Sequence, residues 1–173
     1  MQNNFALAEH IESVPDFPQQ GILFRDISPL LKHHFTETID ALSELFTEQE
    51  WQSFDLIAGI DSRGFIFASA LAYKHQKGFL KVRKAGKLPN VHSSVEYGLE
   101  YGNDSLEMQK GDGSRVLLLD DLIATGGSMG AAAELCEKVG YTVSGMACVV
   151  DIKALNSFHW KNMPVHSLIQ YHD

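Results

Sequence analysis

Residues 116–128 read VLLLDDLIATGGS, an apolar run, two adjacent carboxylates and a glycine pair flanked by hydroxyls in immediate succession. A short run such as Val116 to Leu119 predicts a strand covered on both faces, as in a parallel sheet. Asp120 and Asp121 then stand at the strand's carboxyl end, where open α/β sheets bind ligands. Thr125, Gly126, Gly127 and Ser128 follow as a turn opening a helix. Its unpaired N–H groups and dipole face an anion, and its two hydroxyls add donors. Such a cradle suits a monophosphate. The lysine of GxxxxGK[ST] is absent and the glycines are adjacent rather than spaced as GxGxxG, so nucleoside triphosphates and dinucleotides lose support. Two carboxylates at the end of a buried strand need partners, and sugar hydroxyls beside a phosphate supply them.

The rest of the chain repeats the strand-then-helix order. FDLIAGI (54–60) predicts a strand ending at Asp61, RGFIFASALAYKHQ a helix, and GFLKVR, SLEMQ and RVLLLDD further strands, the last after the turn KGDGS. GSMGAAAELCEKVG predicts a helix closed by Gly140, followed by strands in TVSGMACVVD and VHSLIQY. This order predicts an α/β fold around a mostly parallel central sheet flanked by helices. Upstream, residues 3–13 and 35–50 have helical spacing, with Phe35, Ile39, Leu42 and Phe46 on one face and Thr36 as a cap. Between them Pro15, Pro18, Gly21 and Pro29 forbid a continuous helix and predict a shaped loop. Residues 84–104 carry neither a long apolar run nor helical periodicity and read as a flexible lid.

Composition narrows the classes. With 173 residues the chain suits one domain, 1–173. A formal charge of −8 argues against a general nucleic-acid binder. Cys136 and Cys148 fit neither a metal pattern nor a disulfide framework, which points to a reducing compartment. No leader pattern and no run of membrane-spanning length is present, so a cytoplasmic protein is expected. The histidines offer no ligand spacing, and His33–His34 reads as an exposed pair.

The segment 116–128 resembles the phosphoribosyl-pyrophosphate motif of type I phosphoribosyltransferases. PDFPQQGILFRDISPLL, IAGIDSRGF, RKAGKLP and LEYGNDSLEM are similar, in the same order, to the adenine-specific branch of that family, so the resemblance spans nearly the whole chain. It implies the type I fold with a small N-terminal hood, the base-recognition segment 1–34, and a flexible catalytic loop over 84–104. It also implies a purine-salvage reaction, phosphoribosyl pyrophosphate plus adenine giving AMP and pyrophosphate through an oxocarbenium-like transition state.

Carried over by position, the resemblance gives Asp120 and Asp121 the ribose hydroxyls. Ala124, Thr125, Gly126, Gly127 and Ser128 take the 5′-phosphate, with Ser128 in place of the commoner threonine. It places Arg63 in the pyrophosphate loop as a catalytic group, and Arg83, Lys84 and Lys87 with it, the RKAGK group reaching a neighbouring subunit's site in a homodimer. Leu23 and Arg25 would read adenine through backbone groups, with Phe24 beside them. Glu100 would manage a proton at purine N7, and Tyr101 would close over the site. Glu96 stands in the same EYG context and shares that candidacy. Mg²⁺ would enter with the phosphoribosyl pyrophosphate, with no resident metal. Transfer to hypoxanthine, guanine or xanthine stays open, as does a regulator that senses phosphoribosyl pyrophosphate on the same fold.

Overall fold

The structure, a computed structural model, describes residues 4–99 and 102–173. Val116, Leu117, Leu118 and Leu119 are all fully buried, which requires protein on both faces of their strand. The chain order that provides it is α1 (Asn4–Ala8), β1 (Glu12–Pro15), β2 (Leu23–Asp26), α2 (Ser28–His33), α3 (Phe35–Ser43) and α4 (Glu48–Ser53). Next come β3 (Leu56–Ile60), α5 (Arg63–Lys74), β4 (Gly78–Lys84), β5 (Ser93–Leu99) and β6 (Gly102–Met108). The remainder is β7 (Arg115–Ile123), α6 (Gly127–Val139), β8 (Thr142–Ile152), β9 (His159–Trp160), β10 (Met163–Pro164) and β11 (His166–Tyr171).

The central sheet runs β11-β8-β7-β3-β4-β6-β5. Its first five strands are parallel and β6 and β5 are antiparallel additions at one edge. Alternation along β7 sends Leu117 and Leu119 to one core with Phe67 and Leu71 of α5, and Val116 and Leu118 to another with Leu135 and Cys136 of α6. From β3 the chain crosses to β4 on one side, and from the adjacent β7 it crosses to β8 on the other. The carboxyl ends of β3 and β7 therefore flank the switch point of the sheet, where a crevice must open.

Several local expectations change. Helix α1 stops at Ala8, because Glu12–Pro15 pairs with Leu23–Asp26. The prolines and glycine between them thus shape a hairpin. The 35–50 helix is two helices: α3 ends at Ser43, and α4 starts from a capping box in which Thr47 Oγ1 accepts from Glu50 N (3.2 Å) and Glu50 Oε2 from Thr47 N (2.7 Å). Thr36 lies inside α3, whose N-cap is His34. His33 is exposed, but His34 stacks on His10 with ring centroids 3.8 Å apart.

Residues 84–104 contain the whole of β5, which pairs with β6 from Ser93↔Met108 to Leu99↔Gly102. Val95 and Tyr97 share the face that packs on the α6 core, an alternation too short to stand out in SSVEYGL. Glu100 and Tyr101 lie outside the described residues. Cys136 and Cys148 are free and buried, and burial pushes the Cys136 thiol up to about 12, so both behave as core side chains. None of the described helices is long and apolar enough to cross a membrane.

Candidate active site

The crevice at the switch point is a cleft of about 370 Å³, within the range of small-molecule sites. On one wall the chain leaves β3 through Asp61 and Ser62 and enters α5 at Arg63. On the other, Asp120 and Asp121 lie within the last four residues of β7, and the chain passes through Ala124–Gly126 into α6 at Gly127. Lys84 at the end of β4 and Tyr97 and Asp104 of the β5–β6 hairpin complete the rim.

The two walls meet without side-chain spacers. A Cβ on Gly64 would stand 2.9 Å from Leu119 O and 3.2 Å from Asp120 Oδ1, so only glycine lets the start of α5 touch β7. Gly59 makes the matching contact behind it, where a Cβ would stand 2.8 Å from Gly64 O. This contact brings Arg63 onto the carboxylate pair: its Nε donates to Asp121 Oδ2 at 2.5 Å. Asp121 is buried and Arg63 is half-exposed, so the charge buried on β7 is neutralised by a side chain that can swing into solvent.

Asp120 sits differently. Its Oδ1 accepts from Asp121 N at 2.8 Å, but among the described residues no cation pairs with it. Burial, and then the neighbouring Asp121 charge, holds its carboxyl well above the usual carboxylate range. The two carboxylates thus differ, one ion-paired and one readily protonated.

The cradle turns on Gly126, whose φ of +91° only glycine adopts without cost and which leads into α6 at Gly127. Thr125 and Gly127 are exposed and Ser128 half-buried, so the helix N-terminus opens to the cleft. Among the described residues, no three His, Cys, Asp or Glu side chains converge on a point. The cleft offers adjacent carboxylates and open space instead, a donor set that fits a cation held largely by ligand oxygens and water.

Of the residues singled out from sequence, Arg63, Lys84, Asp120, Asp121 and Ala124 to Ser128 line this one cleft. Arg83 does not: its Nε donates to Asp61 Oδ2 at 2.9 Å, tying β4 to the loop after β3. Lys87 is exposed and lies outside the lining. Leu23, Phe24 and Arg25 lie on β2 and are not among the lining residues. Phe24 packs edge-on against Phe17, and Arg25 donates to Ser13 Oγ (2.6 Å) while its guanidinium lies 3.8 Å from the Tyr171 ring centroid. Leu23 and Arg25 are two apart on a strand with one neighbour, so both present their backbone groups to the same edge. Glu96 is exposed and falls on the opposite face of β5 from Tyr97.

Tyr97, Asp104, Asp61 and Ser62 were not legible as lining residues. Tyr97 and Asp104 are register partners whose side chains meet, the hydroxyl donating to Asp104 Oδ2 at 3.3 Å. Burial raises the Tyr97 hydroxyl above its ordinary value. The one available signal was the Val95–Tyr97 alternation.

Fold and cleft together define a class: an α/β protein whose anion cradle, carboxylate pair and cationic rim can hold a phosphorylated sugar by its phosphate and its hydroxyls. Residues 30–164 match the phosphoribosyl transferase domain family. The adenine phosphoribosyltransferase of Hydrogenovibrio crunogenus is 67% identical over 167 residues, covering 96% of this chain and 97% of that protein. The crystal structure of adenine phosphoribosyltransferase from Thermoanaerobacter pseudethanolicus matches with a TM-score of 0.89 at 39% identity, covering 98% of this chain and 100% of that one. The Saccharomyces cerevisiae enzyme, complexed with D-2,5-dideoxy-2,5-imino-altritol 1,6-bisphosphate and adenine, gives 0.85 at 38% identity over 95% and 97% of the two chains. This chain belongs to the phosphoribosyltransferase family and, within it, to the adenine phosphoribosyltransferases.

Proposed function

We propose that the cleft transfers the 5-phosphoribosyl group from phosphoribosyl pyrophosphate to adenine, giving AMP and pyrophosphate. The observation that carries this function is the meeting of the Asp120–Asp121 pair, the Ala124–Ser128 cradle and the cations Arg63 and Lys84 in one cleft. The 5′-phosphate docks on the cradle, where backbone N–H groups and the Thr125 and Ser128 hydroxyls face it. The ribose hydroxyls donate to Asp120 and Asp121. Arg63 already neutralises Asp121, so the hydroxyls can replace it as donors while the guanidinium turns to the pyrophosphate. Lys84 faces the same group. The C1–pyrophosphate bond breaks with its electron pair leaving on oxygen, N9 of adenine bonds to C1, and the N9 proton is released. Positive charge passes from the sugar to the base, and Glu100 holds a proton at N7 as it does so. Asp120 and Asp121 are the carboxylates that would face a Mg²⁺ brought in with the substrate, and the ion would supply charge stabilisation for the pyrophosphate.

Adenine is read at the β2 edge, by backbone groups of Leu23 and Arg25 with Phe24 beside them. Residues 84–104 act as the lid, with Tyr101 over the site. The protein works in the cytoplasm as a homodimer. Ile66, Tyr73 and Phe79 leave an exposed apolar face on α5 and β4 beside half-buried Phe65. A second copy covering it would bring the exposed Lys87 toward the partner's pyrophosphate. Arg83, bound to Asp61, then acts by shaping the pyrophosphate loop.

The test is product analysis with each purine base, phosphoribosyl pyrophosphate and Mg²⁺. AMP from adenine, with hypoxanthine and guanine poorly used, is the expected result. Faster turnover of hypoxanthine would overturn the base assignment, and binding of phosphoribosyl pyrophosphate without any AMP would mark a sensor. Sedimentation of the purified protein as a monomer would reject the dimer.

A further inference from the structure

Between β8 and β9 the chain turns back beneath the cradle, and one side chain there is engaged at both ends. The two hydrogens on Asn156 Nδ2 are shared among Ala124 O (2.8 Å), Ile152 O (2.9 Å) and Asp151 Oδ1 (3.0 Å), while its Oδ1 accepts from Phe158 N (3.0 Å). Exchanging oxygen and nitrogen would set three acceptors against an acceptor, so the carboxamide has one workable orientation. Behind it, buried Asp151 takes a second partner in Lys153, Nζ–Oδ2 2.6 Å. Ahead of it, Phe158 fills the space under Gly126 and Gly130, where an added Cβ would stand 2.8 Å and 3.2 Å from its side chain.

The Ala124 carbonyl is the consequential contact. The Ala124–Thr125 peptide is trans, so its C=O and N–H point in opposite directions. A carbonyl turned down to Asn156 leaves the Thr125 N–H turned up, on the side of the exposed Thr125 and the cleft. Without a donor below, that peptide could rotate and set a carbonyl oxygen toward the anion. We propose that Asn156 is a positioning residue for the 5′-phosphate: through Ala124 it aims the Thr125 N–H into the cradle, with Phe158 bracing Gly126 alongside. This rests on the cradle being the 5′-phosphate site.

The decisive comparison is Asn156→Ala against wild type, with ribose 5-phosphate and inorganic pyrophosphate as separate inhibitors. Losing one oriented donor to a charged group predicts that KM for phosphoribosyl pyrophosphate and Ki for ribose 5-phosphate both rise about tenfold. KM for adenine and Ki for pyrophosphate should stay within about twofold, because an altered cradle leaves the β2 edge and the Arg63 wall alone. Lys153→Ala serves as the stability control. It weakens the buried Asp151 pair but leaves the Asn156–Ala124 contact, so Tm falls while ribose 5-phosphate binds normally. Should Asn156→Ala fail to fold, Asn156→Ser, whose hydroxyl is too short to reach Ala124, must show the same split. Equal weakening of both inhibitors, or an unchanged Ki for ribose 5-phosphate, would overturn the proposal. Absence of AMP from the wild-type protein would instead overturn the function on which it rests.

Discussion

Gly64→Ala tests whether the site depends on the direct contact of α5 with β7. The new methyl would lie 2.9 Å from Leu119 O, 3.2 Å from Asp120 Oδ1 and 3.3 Å from Asp120 Cα. Comfortable contacts begin at about 3.5 Å, so helix and strand must separate by roughly half an ångström. Two of the three atoms are backbone in the centre of the sheet and cannot swing aside. Overpacking of this kind costs about 1–3 kcal/mol. Alanine's better helix propensity offsets up to about 1 kcal/mol. The net loss of about 1–2 kcal/mol corresponds to a Tm lower by about 2–8 °C for a chain of this size. The functional effect is larger in proportion, because Arg63 precedes Gly64 and reaches Asp121 across the same gap. A misplacement of about 1 Å can cost 10²-fold, so half of that predicts about a tenfold loss in kcat/KM. Differential scanning calorimetry and steady-state kinetics read the two quantities. Gly127→Ala is the matched comparison, since its nearest neighbours would be 3.7 Å and 3.8 Å away and its Tm should stay close to wild type. Wild-type Tm and kinetics in Gly64→Ala would refute the close-approach reasoning.

Three other outcomes follow from single observations. The Asp120 carboxyl is raised in the folded protein, so native protein binds more protons than unfolded chain and stability falls as pH rises from about 4 through the folded value. Asp120→Asn removes that slope: the variant should melt higher than wild type at neutral pH and level with it near pH 4, while KM for phosphoribosyl pyrophosphate rises, and a lower Tm at neutral pH would contradict it. Thr47→Ala breaks the capping box of α4 and should cost about 1 kcal/mol in urea unfolding with unchanged kinetics, because α4 lies outside the cleft lining. Glu100→Gln should lower kcat by about 10²–10⁴ with little change in KM, whereas Glu96→Gln, exposed on the far face of β5, should behave as wild type. The opposite pattern would transfer the proton role to Glu96.

The division between sequence and tertiary structure runs along chemical lines. VLLLDDLIATGGS determined its own strand and the helix opening after it, because burial, charge and glycine geometry are local properties readable at fixed spacing, but the strand runs on past Asp121 to Ile123, where pairing with β8 holds it. The parallel order of β3, β4, β7 and β8 followed from the alternation of apolar runs with amphipathic helices. The hairpin β1–β2, the break at Thr47 and strand β5 did not. Each is decided by a partner distant in sequence, such as Leu23–Asp26 for Glu12–Pro15, or by a pattern only two side chains long, such as Val95 and Tyr97. The same holds for the site. Sequence supplied the carboxylates, the cradle and the cations, but not that Arg63 grips Asp121 while Arg83 turns to Asp61, nor that Asn156 holds the Ala124 carbonyl. Hydrogen bonds of that kind depend on where a side chain ends in space, and only the packing of α5 on β7 and of residues 153–158 under the cradle brings those ends together.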